Sequence, residues 1–241
     1  MAKKAETTSL SSKPTILNAD VWIVGDMPLI VHAWSEKAKR EMLEKQTKAV
    51  KGKGREAKDP EADFRASLYD FGDGAYGFPA TAFKNSLLSA AHKDRGIPRS
   101  EAMKAIFINA DMVRVRPALA GAICDMPLVR VYGSDPEMRE DMVRVGSGLN
   151  KTANLAYRGQ FTVWACRLRI KFNASIVTLE QLQYLIDTAG MSIGVGEWRN
   201  EKSGMFGAFH LATAAEDKAW TAFAAGKGPL PVSEQYAQAA E

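Results

Sequence analysis

The sequence predicts an α+β fold built on one antiparallel sheet, and three observations predict it. Strand-period and helix-period stretches follow one another as strand, helix, strands, strand, helix, strand. Phe161–Phe172 alternates apolar and basic side chains, the pattern of a half-exposed antiparallel strand. Two stretches that open at Thr81 and Thr178 repeat their apolar residues at helical spacing behind a capping threonine. With two insertions set aside the order is β-α-β-β-α-β, the ferredoxin-like or RRM-like split arrangement. That fold hosts many functions, so the chemistry has to come from the motifs.

A chain of 241 residues, 46% hydrophobic and 25% charged, can bury a sizeable core. Its two cysteines, Cys124 and Cys166, are too few for a disulfide framework or a zinc site. No apolar run of about twenty residues is present. A cytoplasmic protein with no membrane partner, no metal and no cofactor is expected. The net charge is only +4, yet it is unevenly placed: residues 37–58 hold nine Lys/Arg against three glutamates. Lys51, Lys53 and Arg55 in that block are candidate contacts for a polyanion. A solvated helix with a plain loop is the alternative.

Residues 1–14 lack an apolar period and read as a disordered leader. Ile16 to His32 is β-branched and broken by Gly25-Asp26 and Pro28, so two strand pieces with a kink are expected. Ser35 caps a polar helix from Glu36 to about Ala49, part of an insertion over 34–75. Phe83, Leu87 and Ala91 set the buried stripe of the next helix, with Thr81 as its cap and Lys84 in its first turn. A cation there opposes the helix dipole, and an anion held by the free N–H groups of that turn would account for it. The plain alternative is a lysine that reaches back to solvent.

A short helix is expected from Ser100 through Met103. Met112–Arg116 and Leu128–Tyr132 alternate as strands. Residues 133–160 carry Arg144, Lys151 and Arg158 among glycines without a clean period and read as an extended hairpin or arm. In Phe161–Phe172 the residues Trp164, Cys166, Leu168, Ile170 and Phe172 point one way, and Arg167, Arg169 and Lys171 the other. Thr178 and Gln181 form a capping box for a helix that closes at Gly190. A last strand over Phe206–Leu211 ends the core at 212, and 213–241 form an extension around Trp220 and Phe223.

The densest stretch is Gly190–His210. Gly194 and Gly196 can take positive φ and present N–H groups to an anion, Arg199 and Lys202 supply charge, and Trp198 can stack on a base. A tight turn with core aromatics is the bland reading. It is no dinucleotide fingerprint, because a helix precedes it, a strand follows it, and Arg199 stands in the third glycine's place.

Phe78-Pro79-Ala80-Thr81-Ala82-Phe83-Lys84-Asn85-Ser86-Leu87 resembles the proline-led helix start of the RAMP superfamily, the RNA-binding subunits of CRISPR effector complexes. Gly194-x-Gly196-x-x-Arg199-x-x-Lys202-x-Gly204-x-Phe206-Gly207-x-Phe209 is similar to that superfamily's C-terminal glycine-rich signature. The resemblance implies a backbone subunit that binds single-stranded guide RNA without regard to sequence, in a helical homo-oligomeric filament with other effector subunits. It also leaves open a metal-independent endoribonuclease with His32, or secondly His92, as general acid or base. Asp70 or Asp73 are the alternative, metal-assisted choice. A phage or mobile-element protein that coats or anneals single-stranded DNA is the remaining reading, since phosphate contacts do not distinguish RNA from DNA.

Overall fold

The computed structural model describes residues 13–47, 58–72, 74–94, 97–115, 119–145 and 152–232. Lys51, Lys53, Arg55, Asp73 and Lys151 lie outside the described residues, as do the first twelve of the expected leader. In chain order the elements are β1 (Ile16–Gly25), β2 (Leu29–Val31), α1 (Glu36–Thr47), α2 (Pro60–Ser67), β3 (Tyr69–Asp70), β4 (Tyr76–Pro79), α3 (Ala80–Asp94) and α4 (Arg99–Ala105). There follow β5 (Ile106–Asn109), β6 (Asp111–Arg114), β7 (Asp125–Gly133), β8 (Glu137–Val145), β9 (Thr152–Phe161), β10 (Trp164–Asn173), α5 (Leu179–Thr188), β11 (Phe209–Leu211) and α6 (Ala214–Ala224).

Among the described residues the larger sheet has eight strands on the path β11-β1-β10-β7-β4-β3, with β5 paired to β10 and β6 to β7. Its centre, β11-β1-β10-β5, is antiparallel throughout. Together with α3 and α5 this is the ferredoxin-like β-α-β-β-α-β order that the sequence predicts. Cys166, Leu168, Ile170 and Phe172 of β10 are buried in one core with Phe83, Leu87 and Ala91 of α3 and Leu182, Leu185 and Ile186 of α5. Burial on this scale supplies most of the drive to fold, at about 25 cal/mol per Å² of apolar surface.

Among the described residues, the opposite face of β1 and β10 is covered where β10 begins. There α6, held by a Thr213 capping box, lays Trp220 on Trp22, Val24 and Ala165. The Trp22 and Trp220 rings stack with centroids 6.2 Å apart, and Trp22 Nε1 donates to Thr221 Oγ1 at 3.0 Å. A smaller sheet, β2-β9-β8, is formed by the kinked continuation of β1 and by two strands within 133–161. On it sits α2, whose Ser67 Oγ accepts from the Gly159 N–H at 2.8 Å.

Local chemistry explains where the chain departs from its sequence pattern. Phe161 ends β9, paired with Leu29, and β10 begins only at Trp164, because Val163 turns the chain through hydrogen bonds with Ser134. Ile106–Asn109, which the sequence pattern leaves unassigned, is the strand that completes the ferredoxin order. The third helix starts at Ala80, directly after Pro79, so Thr81 lies inside its first turn and is not its cap. The following helix starts at Arg99 instead of Ser100 and runs to Ala105. Gly190 is no helix cap either. The chain continues from α5 into a π turn, Ala189–Ile193, and the glycine that ends it is Gly194, with φ +71°. The last strand is shorter than expected, Phe209–Leu211, preceded by a single bridge from Arg199 to Phe206.

Candidate nucleic-acid interface

The glycine stretch is stitched down by its own backbone. Val195 N–H donates to Gly207 O at 2.9 Å, Gly207 N–H to Pro28 O at 2.8 Å, and Glu197 N–H to Ile30 O at 3.0 Å. Gly207 takes φ +65°, and a side chain there would collide with the Val195 carbonyl oxygen. Gly190 is buried where a side chain would strike the Phe209 carbonyl oxygen. The loop therefore holds its shape through contacts that only glycine permits.

On this rigid base stands Trp198 at φ +53°, with 43% of its surface exposed. A bulky residue in the left-handed region is an outlier of the kind found at ligand sites. Its carbonyl accepts the Phe206 N–H at 3.1 Å, which fixes the conformation.

Between this loop and α3 lies a cleft of about 340 Å³. Thr81, Asn85 and Ser89, four residues apart on α3, give one wall a polar stripe. Gly194, Gly196 and Arg199 line the other. Ser86 Oγ, donating to Ala189 O at 3.2 Å, ties the walls together. Arg99 of α4, outside the cleft, donates to Asn85 Oδ1 and Ser89 Oγ at 3.2 and 3.3 Å. Sequence reasoning misses Arg99, and its position ten residues from Ser89 gives no periodic signal.

Three ionisable groups, His32, Tyr69 and Glu197, line the cleft together. His32 Nδ1 lies 3.8 Å from Glu197 Oε1, and the Tyr69 hydroxyl donates to the His32 carbonyl at 3.5 Å. The pairing with His32 holds the Glu197 carboxyl below its ordinary range against the opposing effect of burial, and the charges of Arg158 and Arg199 add to it. Burial, followed by the charge of Glu197, pushes the Tyr69 phenol up. Among the described residues no group of three or more His, Cys, Asp or Glu is placed to hold a metal.

The remaining candidate residues are not gathered in one place. Arg199 lies against the loop, 2.9 Å from Glu201 Oε2, while Lys202 is exposed with no ion-pair partner among the described residues. Gly194 does not offer a bare amide, because its N–H donates to Ala189 O at 2.8 Å. Lys84 does not line the cleft. It turns to the sheet edge, its Nζ 5.9 Å from the centre of the Phe107 ring. Arg158 is 7% exposed and paired with Asp141 at 3.4 Å, so it is a buried structural cation and not a strand contact.

Arg167 makes two 2.8 Å bonds to Asp20 of β1, and Arg169 one of 3.0 Å to Asp111 of β6, acids from other strands that escape a one-strand reading. Lys171 keeps no such partner among the described residues, and Arg144 is exposed on β8. Asp70 Oδ1 accepts the Gly72 N–H at 2.6 Å, which accounts for it as a turn residue. His92 is exposed and does not line the cleft.

Among the described residues no helix is long and apolar enough to cross a membrane. No family model and no curated protein matches the chain. Among solved structures the chain is similar to the crystal structure of Cmr6 from Pyrococcus furiosus, with 10% identity and a TM-score of 0.39 over 83% of this chain and 100% of that one. A likeness at that overlap carries no argument for function.

Proposed function

We propose that this chain binds single-stranded nucleic acid, RNA in the first place, without reading its sequence, and that it does so in the cleft between α3 and the glycine loop. One observation carries the proposal. The two motifs that resemble the RAMP superfamily lie more than a hundred residues apart in the chain, yet they form the two walls of one cleft. Arg199 in the cleft and Lys202 on the same loop outside it meet phosphates, the neutral hydroxyl and amide stripe of α3 meets sugars and base edges, and Trp198, exposed beside the cleft, offers a ring for stacking. The resemblance extends the proposal to repeating subunits along a guide strand. Sedimentation of the protein with RNA of increasing length tests that extension, and one copy per RNA at every length refutes it.

Binding of matched labelled RNA and DNA oligonucleotides, followed by anisotropy across a salt series, tests the main reading. Affinity should fall steeply with salt, and Arg199→Ala with Lys202→Ala should flatten the slope by about 1.4, at about 0.7 per lost phosphate contact. Full-strength binding by the double variant returns the loop to a purely structural role. Preference for DNA would favour a role in coating or annealing single-stranded DNA.

The pairing of His32 with Glu197 beside Tyr69 supports a second reading, metal-independent RNA cleavage in the same cleft. The Glu197 carboxylate would take the 2′-hydroxyl proton as that oxygen attacks phosphorus, and His32 would donate a proton to the departing 5′-oxygen, leaving a 2′,3′-cyclic phosphate and a free 5′-hydroxyl. Cleavage in the presence of EDTA that is lost in His32→Ala supports it; an intact RNA substrate excludes it.

A further inference from the structure

We infer that the open face of the larger sheet carries a second, separate contact for single-stranded nucleic acid, with a nucleobase stacked on Phe107 and adjacent phosphates on Lys84 and Lys171. This site shares the ligand class of the cleft but none of its residues, so the two can fail independently.

Register places the parts. Lys171 of β10 stands directly opposite Phe107 of β5 on one side and Asn18 of β1 on the other. Directly opposed residues of antiparallel strands share a face, so the three side chains form one row across three strands. Phe107 is 57% exposed, whereas its neighbours Ile106 and Ile108 are buried at 1% and 6%. An aromatic ring is thus presented from a strand whose other face is anchored in the core. Lys84 comes round the sheet edge from α3 and holds its ammonium 5.9 Å from the centre of that ring.

Charge selects the occupant. One row further along, Arg169 is bound to Asp111, and beyond it Arg167 is bound to Asp20. Lys84 and Lys171 have no acidic partner among the described residues. The face is therefore neutralised everywhere along β10 except beside the exposed ring. A flat π system joined to repeating anions fits that arrangement, and base stacking on an aromatic side chain tolerates any sequence. Asn18, exposed in the same row, can both donate to and accept from a base edge.

The test uses fluorescein-labelled decamers of oligouridylate and oligodeoxythymidylate with the full-length chain. Phe107→Ala should weaken binding about ten- to a hundredfold, the range for loss of one stacked base, while Phe107→Trp keeps it. Lys84→Ala with Lys171→Ala alters no core side chain and should lower the salt slope. A 5-iodouridine oligonucleotide should crosslink to Phe107 as well as to the glycine loop. The inference is overturned if Phe107→Ala binds as the wild type does, or if every crosslink maps to the glycine loop. It is equally overturned if Phe107→Ala changes only the sedimentation of the free protein, which would give this face to a protein partner. Loss of binding in Arg199→Ala with Lys202→Ala, without loss in Phe107→Ala, would leave the cleft standing and remove the platform.

Discussion

The two walls of the cleft are built on opposite principles. The α3 wall is a regular helix whose stripe of exposed Thr81 and Asn85 and half-buried Ser89 can change without touching the buried stripe of Phe83 and Leu87. Across from it, the glycine wall has almost no side-chain freedom, because backbone carbonyls occupy the space where side chains would stand at Gly190 and Gly207. One wall keeps its chemistry in side chains on a regular helix; the other hangs Trp198 and Arg199 on a backbone whose shape only glycine permits. Substitution of the glycines should therefore damage folding, whereas substitution along the helical stripe should affect recognition alone.

The sharpest way to break this contrast is Gly190→Ala, which forces a methyl group into the Phe209 carbonyl. It should cost about 3 kcal/mol or more, seen as a lower urea midpoint or as loss of soluble protein. A variant as stable as the wild type would mean that the wall can yield. Trp198→Gly comes next and should move two measurements in opposite directions. Removing the ring should weaken oligonucleotide binding by about 1–3 kcal/mol, while relief of the left-handed backbone should leave stability unchanged or raise it by about 1 kcal/mol. Parallel losses of both would make Trp198 a structural residue. On the helical wall, Asn85→Ala should weaken binding by only about 1 kcal/mol with no change in melting temperature; a drop in melting temperature would erase the difference between the walls.

The smallest effect concerns pH. His210 joins the end of the glycine wall to α6, with Nδ1 2.7 Å from Asp26 and Nε2 3.2 Å from Glu216. The bond to Asp26 first, opposed by burial and aided by the charges of Asp26 and Glu216, raises its pKa to about 9. Because the folded value is raised, the stabilisation is complete below the ordinary histidine range and is lost as pH rises through about 9. Melting curves of wild type and His210→Gln should converge between pH 7 and pH 10. The side chain is partly exposed, so screening keeps the effect small.

Features fixed by neighbours in the chain were legible in the sequence. The alternation of β10 and the capping box at Thr178 depend on residues within a few positions of one another, and both stand as read. What depended on distant partners was not legible. Arg167 and Arg169 look free until β1 and β6 bring Asp20 and Asp111 beside them, and Arg158 looks exposed until Asp141 and the smaller sheet enclose it. Gly190 resembles a helix stop because glycine after an apolar stripe usually is one. Here its lack of a side chain serves a close approach to β11 instead. The nearness of the two motifs, like the meeting of His32 with Glu197, is a product of topology.

Because α6 roofs the Trp22 end of β1 and β10, the face beside it has a direction. From the Trp22 row to the Lys171 row is four residues along β10, about 13 Å at about 3.3 Å per residue. A strand bound on this face as inferred above would meet the Trp220 helix at the end away from Phe107. The helix would then act as a ruler that sets the length of that footprint.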